Sequence, residues 1–168
     1  KMVVSNINGC ADSITRQVTI RKVPDAGIGN ADPTVIFEPF NGNPTFKKCN
    51  NIPSYTFKFT NLSTTIANND SYTINWGDGS PDTTFTTWAT QDVIAHNFKI
   101  GGNTVTVSVT GKDGCIGIKK YIVFLGTVPA GGLASLGNTD ICSSDSLRFA
   151  ITNIANNPPG TSYSFFIN

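Results

Sequence analysis

Apolar and polar residues alternate along much of the chain. Tyr55, Phe57 and Phe59 are interleaved with Thr56, Lys58 and Thr60. Tyr72, Ile74 and Trp76 are interleaved with Thr73 and Asn75, and Val105, Val107 and Val109 with Thr104, Thr106, Ser108 and Thr110. A period of two places one set of side chains in a core and the other in water, so each segment predicts a half-buried strand. The core set is Phe57, Phe59, Tyr72, Trp76 and Val107. Weaker versions of the pattern predict strands over 34–38, 83–88, 91–98 and 116–125. Gly, Asn, Asp and Pro separate the segments, and Lys112-Asp113-Gly114-Cys115 predicts the tightest hairpin, because Asp-Gly accepts positive φ. Seven strands in about a hundred residues predict an antiparallel β-sandwich of immunoglobulin type.

The pattern repeats. Asn8-Gly9-Cys10, then Ile14 to Ile20, then Val23-Pro24, returns 105 positions later as Asp113-Gly114-Cys115, Ile118 to Phe124 and Val128-Pro129. A second match links Cys49, Tyr55 to Asn61 and Ser71-Tyr72 with Cys142, Leu147 to Asn153 and Ser162-Tyr163. Its shorter offset assigns about a dozen extra residues to the segment 32–48. Fixed-period self-similarity marks tandem modules. Three units follow: the last two strands of one module over 1–23, a complete module over 24–127, and the first three strands of another over 128–168. The strand-like start and the strand-like end at Tyr163 to Asn168 suggest a piece of a longer chain. Proline at each joint stops strand pairing and stiffens it, so the modules are expected end to end.

Composition agrees with strands: 17 Ile and 11 Val stand against 5 Leu, with 21 Thr and 18 Asn among 168 residues. Charged residues make up 14% and net charge is +1, which argues against nucleic acid as a partner. The apolar runs are too short to insert this segment directly into a membrane. There is one His and no Cys-x-x-Cys, which removes most metal and acid–base templates. No nucleophile elbow, phosphate loop or carboxylate cluster indicates an enzyme.

Trp76-Gly77-Asp78-Gly79-Ser80, then His96-Asn97-Phe98, Gly101-Gly102 and Thr104 to Val109, resemble the signature of the PKD (polycystic kidney disease) domain. The resemblance covers Asp25 to Leu125, and the flanks join it through the repeat. The Asn/Asp-Gly-Cys hairpins look like those in PKD and Ig-like arrays of very large Bacteroidota surface proteins, including gliding-motility adhesins exported by the type IX secretion system. That implies tandem all-β immunoglobulin-like sandwiches in a non-catalytic stalk, outside the cell and attached to the outer membrane or secreted. Its expected partners are neighbouring modules, other surface proteins or polysaccharide. PKD domains also accompany secreted depolymerising enzymes, which makes a polysaccharide- or protein-binding accessory module the alternative.

Several residues can carry chemistry. In the turn of Gly77, Asp78 and Gly79, the carboxylate is expected to cap backbone N–H groups. Asp78 and Asp82 are weak candidates for calcium, which requires six to eight oxygens; otherwise no cofactor is expected. His96 reads as structural. Trp88, in a Thr-rich loop, is the candidate for an exposed ring that stacks on a glycan; packing in the core or rim is the plainer alternative. Four cysteines in such a chain suggest an oxidising compartment. The repeat puts Cys49 and Cys115 in one module, where they can pair, with partners for Cys10 and Cys142 before residue 1 and after residue 168. Against the pair, the second strand's start and the last hairpin lie at opposite ends of an immunoglobulin sandwich, unless the segment 32–48 carries Cys49 back. Asp-Ser/Thr-x triplets at Ser13, Thr83 and Ser146 resemble the Bacteroidota O-glycosylation motif.

Overall fold

The computed structural model describes residues 1–157 and 160–166. It is mostly β. Its thirteen strands are β1 (Met2–Ser5), β2 (Ala11–Ile14), β3 (Ile28–Asn30), β4 (Ile36–Phe40), β5 (Asn43–Cys49), β6 (Ser54–Asn61), β7 (Asn69–Asn75), β8 (Thr83–Phe85), β9 (Val93–Lys99), β10 (Gly101–Gly111), β11 (Ile116–Gly126), β12 (Gly132–Ser135) and β13 (Phe149–Thr152). The described residues contain two short 3₁₀ turns, Ile66–Asn68 and Ile154–Asn156, and no α-helix. None of their helices is long and apolar enough to cross a membrane.

Two sheets share the core. One has the order β4-β5-β11-β10-β7-β8 and the other β3-β6-β9. All pairings are antiparallel except β5 with β11, which is parallel. The alternating segments place Val105, Val107, Val109, Tyr72 and Ile74 of the larger sheet opposite Phe57, Phe59 and Phe98 of the smaller. Phe46 meets Phe59 edge-on across the gap at 5.1 Å. Every residue of this core lies between Ala26 and Leu125.

The central segment, 24–127, has nine strands (β3 to β11) instead of seven. The additions are β3, too short to show a period, and β5, which forms a hairpin with the expected strand β4 from the extra residues of 32–48. Phe46 is fully buried against β11, in register with Val123. A parallel neighbour for β11 is invisible to local pattern, because parallel pairing joins strands distant in sequence. The strand expected over 83–88 stops at Phe85.

Tyr121 on β11 ties the sheets together. Its hydroxyl accepts the Ile28 N–H at 2.8 Å and donates to the Ala26 carbonyl at 3.0 Å. Burial pushes this phenol up to about 12. Because the folded-state value lies above the unfolded one, its contribution is intact below pH 10 and is lost between about pH 10 and 12. Tyr121→Phe, which leaves two buried backbone groups unpaired, should cost about 1–3 kcal/mol at neutral pH. It should also lack that alkaline loss. Urea denaturation at pH 7 and 11 tests both.

The pairing of Cys49 with Cys115 is overturned: all four cysteines are free thiols. Cys49 ends β5, opposite Gly126 at the far end of β11, whereas Cys115 immediately precedes β11. Eleven residues of extended chain separate those positions, about 36 Å. A disulfide requires Cα atoms within about 7 Å. The parallel course of β5 along β11 carries Cys49 away from Cys115, not back to it.

The flanks echo the centre. β1 pairs with β2 in the register Met2↔Ile14 to Ser5↔Ala11, and β10 with β11 as Val107↔Lys119 to Thr110↔Ile116, each residue 105 positions on. Gly9 and Gly114 adopt φ of 82° and 83°. The closing bonds, Asn6 N–H to Cys10 O and Gly111 N–H to Cys115 O, also correspond. Beyond Ile14 the expected strand does not continue to Ile20. A second echo escaped sequence reading. The 3₁₀ turns Ile66–Asn68 and Ile154–Asn156 are each followed by an Asn that donates to a tyrosine hydroxyl: Asn69 to Tyr72 at 2.9 Å and Asn157 to Tyr163 at 2.7 Å. At the C-terminal end only β12 and β13 form among the described residues. Tyr163 to Phe166 are not in a strand, and Ile167 and Asn168 lie outside the described residues.

Candidate functional site

The Trp-Gly-Asp-Gly turn gathers the densest polar chemistry. β7 delivers Trp76 into the core, and Gly77 (φ 72°) and Gly79 (φ 86°) turn the chain through backbone that L side chains rarely adopt. Asp78 stands between them. Its Oδ1 accepts the Ser80 N–H at 3.0 Å and the Ser80 hydroxyl at 2.5 Å. Its Oδ2 lies 2.8 Å from His96 Nε2. The imidazole stacks on Trp76, with centroids 4.1 Å apart and planes at 6°. Trp76 in turn donates its indole N–H to Thr83 Oγ1 at 3.0 Å. The carboxylate, imidazole and indole thus form one latch joining the end of β7, the start of β8 and the middle of β9.

Asp, His and Ser within hydrogen-bond reach invite comparison with an acyl-transfer relay. In such a relay the imidazole uses one nitrogen for the carboxylate and the other for the hydroxyl. Here His96 Nε2 faces both Asp78 and, at 3.4 Å, the Ser80 hydroxyl. Ser80 itself donates to Asp78. The arrangement holds the turn and leaves no oriented base on the hydroxyl.

Burial pushes the Asp78 carboxyl up, but the Ser80 hydroxyl, His96 and the Ser80 N–H outweigh it and hold it near 2. A folded-state value below the unfolded 3.8 means stability that is present above about pH 4 and lost as pH falls toward 2. The side chain is 20% exposed. Allowing for that screening, Asp78→Asn should cost about 1–2 kcal/mol at pH 7, and the gap from wild type should close between pH 4 and 2. Denaturation at pH 7, 4 and 2.5 reads this; a gap that persists at pH 2.5 would refute it.

The two calcium candidates are engaged separately. Asp78 serves the turn, and Asp82 accepts from Asn75 Nδ2 at 2.7 Å. Among the described residues no three His, Cys, Asp or Glu side chains form a group suited to a metal.

For Trp88 the structure takes the plainer reading, packing in the core, and removes the glycan-stacking candidate. It is 3% exposed, edge-on to Tyr72 and Phe85, and its indole N–H donates to the Asp92 carbonyl at 3.0 Å. Because β8 ends at Phe85, the chain folds back and tucks the ring under the sheet edge, so it presents no face to a sugar. Among the glycosylation triplets, Ser13 and Ser146 are exposed. The Thr83 hydroxyl is half-buried and accepts from the Trp76 indole.

Two clusters were missed from sequence. Asn61, Ser63, Thr65 and Asn69 are buried together. Asn61 Nδ2 donates to the Trp88 carbonyl at 2.6 Å, Asn69 Nδ2 to Ser63 Oγ at 3.1 Å, and Thr65 Oγ1 to Asn69 Oδ1 at 2.9 Å. Asn61 occupies the inward position after Phe57 and Phe59, a polar residue in an apolar register, and that was the available signal. The second cluster joins distant segments: Tyr55 donates to Asp32 Oδ2 at 2.6 Å and Thr34 Oγ1 to Oδ1 at 2.7 Å. The Tyr55 and Thr34 bonds hold the Asp32 carboxyl near 2, and Asp32 pushes the Tyr55 phenol up. No sequence signal linked them.

In comparisons with known proteins, no family model, no curated protein and no solved structure matches this chain.

Proposed function

We propose that the chain is a non-catalytic stalk segment of a long extracellular adhesin, built from tandem PKD-like sandwiches that act as spacer and scaffold. One observation carries this reading: the β1–β2 hairpin repeats the β10–β11 hairpin in register, turn and closing bond. Sandwich topology of immunoglobulin type fits the strand order. β3-β6-β9 takes the places of strands A, B and E, and β11-β10-β7-β8 those of G, F, C and C′. Trp76, at the end of β7, takes the place of the buried tryptophan of strand C. The β4–β5 hairpin is an insertion between the first two strands.

The load-bearing role is testable by pulling the chain from its ends. Unfolding of the central segment should appear as one abrupt event that releases roughly 100 residues, a gain of about 300 Å in contour length. Gradual extension without such an event would sink the stalk reading. The accessory polysaccharide-binding alternative relied on Trp88 as an exposed ring, and that ring is buried.

A further inference from the structure

The cysteines sit at the joints. At one pole of the central segment, β5 and β11 end side by side with Cys49 opposite Gly126. The chain leaves there, with the Val128 N–H donating to Asn51 Oδ1 at 3.0 Å. At the other pole lies the Gly111–Cys115 hairpin, where the chain arrives. A Cβ on Gly117 would overlap the Pro24 carbonyl, and the Arg21 guanidinium donates to the Asp113 carbonyl. Cys49 is exposed and Cys115 half-buried.

The repeat relates the two poles. An offset of 105 carries Gly126, the neighbour of Cys49, back onto Arg21. The place that Cys49 holds in the central module is therefore, in the module before it, beside Arg21. Arg21 touches the hairpin that bears Cys115. Cys10 is the hairpin cysteine of the first module, and Cys142 corresponds to Cys49 in the third.

We propose that these thiols form inter-module disulfides: the cysteine that ends β5 in one module pairs with the hairpin cysteine of the next. The inference rests on the tandem-module reading but not on what the array adheres to. Under this rule no two of the four cysteines are partners, in agreement with four free thiols. Each bond forms by exchange with a donor disulfide, such as an oxidised thiol–disulfide oxidoreductase. One thiolate attacks the donor, releasing a thiol and leaving a mixed disulfide, and the second thiolate displaces the remaining donor sulfur. Two electrons pass to the donor, and the two protons end on its thiols. Each covalent tie then spans a joint that the chain crosses once.

The geometry is tested in the full chain with R21C, oxidised glutathione and non-reducing peptide mapping. The introduced thiol should cross-link to Cys115 at least tenfold more than in V18C, three residues earlier on the same exposed segment. Equal yields in the two variants would overturn the facing of the poles.

The pairing itself is tested in a chain with residues 23–127 present twice in tandem, since the whole core lies within Ala26–Leu125. With C115S in the first copy and C49S in the second, the remaining two cysteines should form one disulfide. With C49S in the first copy and C115S in the second, both should stay reduced. Bonds in both versions or in neither would overturn the proposal. Two equal unfolding events in the duplicate would uphold the tandem reading even where the bond fails, so the two failures are distinguishable.

Discussion

Trp76→Ala should lower the stability of the central segment by about 4 kcal/mol, the upper range for truncating a large buried ring. Trp76 is 2% exposed and packs against Phe59 at 5.8 Å and Phe98 at 6.1 Å, both on the opposing sheet. Alanine would open a cavity between the sheets. It would also remove the ring on which His96 stacks and the donor to Thr83. Trp76→Phe refills most of the space and should cost about 1–2 kcal/mol, largely for the unpaired Thr83 hydroxyl and the residual gap. Urea denaturation of both variants with unchanged m-value separates the losses. Equal costs for the two would mean that the ring's size is not what holds the sheets at this end.

Gly77→Ala should cost about 3 kcal/mol or more, against about 1 for Gly79→Ala. Both glycines have positive φ, so each substitution carries the left-handed penalty of about 1–2 kcal/mol. Only Gly77 has a neighbour in the way. A Cβ there would overlap the Thr104 carbonyl of β10, whereas one on Gly79 meets nothing within 4 Å. Backbone cannot rotate aside as a side chain can, so β10 must shift away from β7 or the turn must open. Matching thermal or chemical denaturation curves for the two variants would show that conformation alone, not the close approach, selects glycine at 77.

The two substitutions also divide what was legible. The alternation in β6, β7 and β10 was readable because each of these strands has one wet face and one dry face, and a local period of two records that. The Asp-Gly and Gly-Asp-Gly turns were readable because positive φ narrows the choice of residue. Trp88 was open to two readings because its surroundings are polar in sequence while its position in space is not: Tyr72, Phe85 and the Asp92 carbonyl close around it. The partnership of Asp32 with Tyr55 crosses 23 residues, and nothing in either segment announces it.

The cysteines show the same division. Sequence spacing grouped Cys49 with Cys115 by counting along the chain. The sheet places them at opposite poles, because β5 enters parallel to β11 and ends where β11 ends.

The sequence by itself determined the alternating strands β6, β7 and β10 with their faces, the tight turns and the 105-residue recurrence, since each is a pattern read directly along the chain. Only the tertiary structure decided that the extra residues form a hairpin against β11, that Trp88 lies inside, and that Cys49 and Cys115 stand at opposite ends of β11. Those outcomes depend on which distant backbone edge a strand finds. Hydrogen bonding between edges is the same for every sequence, so local pattern carries no record of the choice.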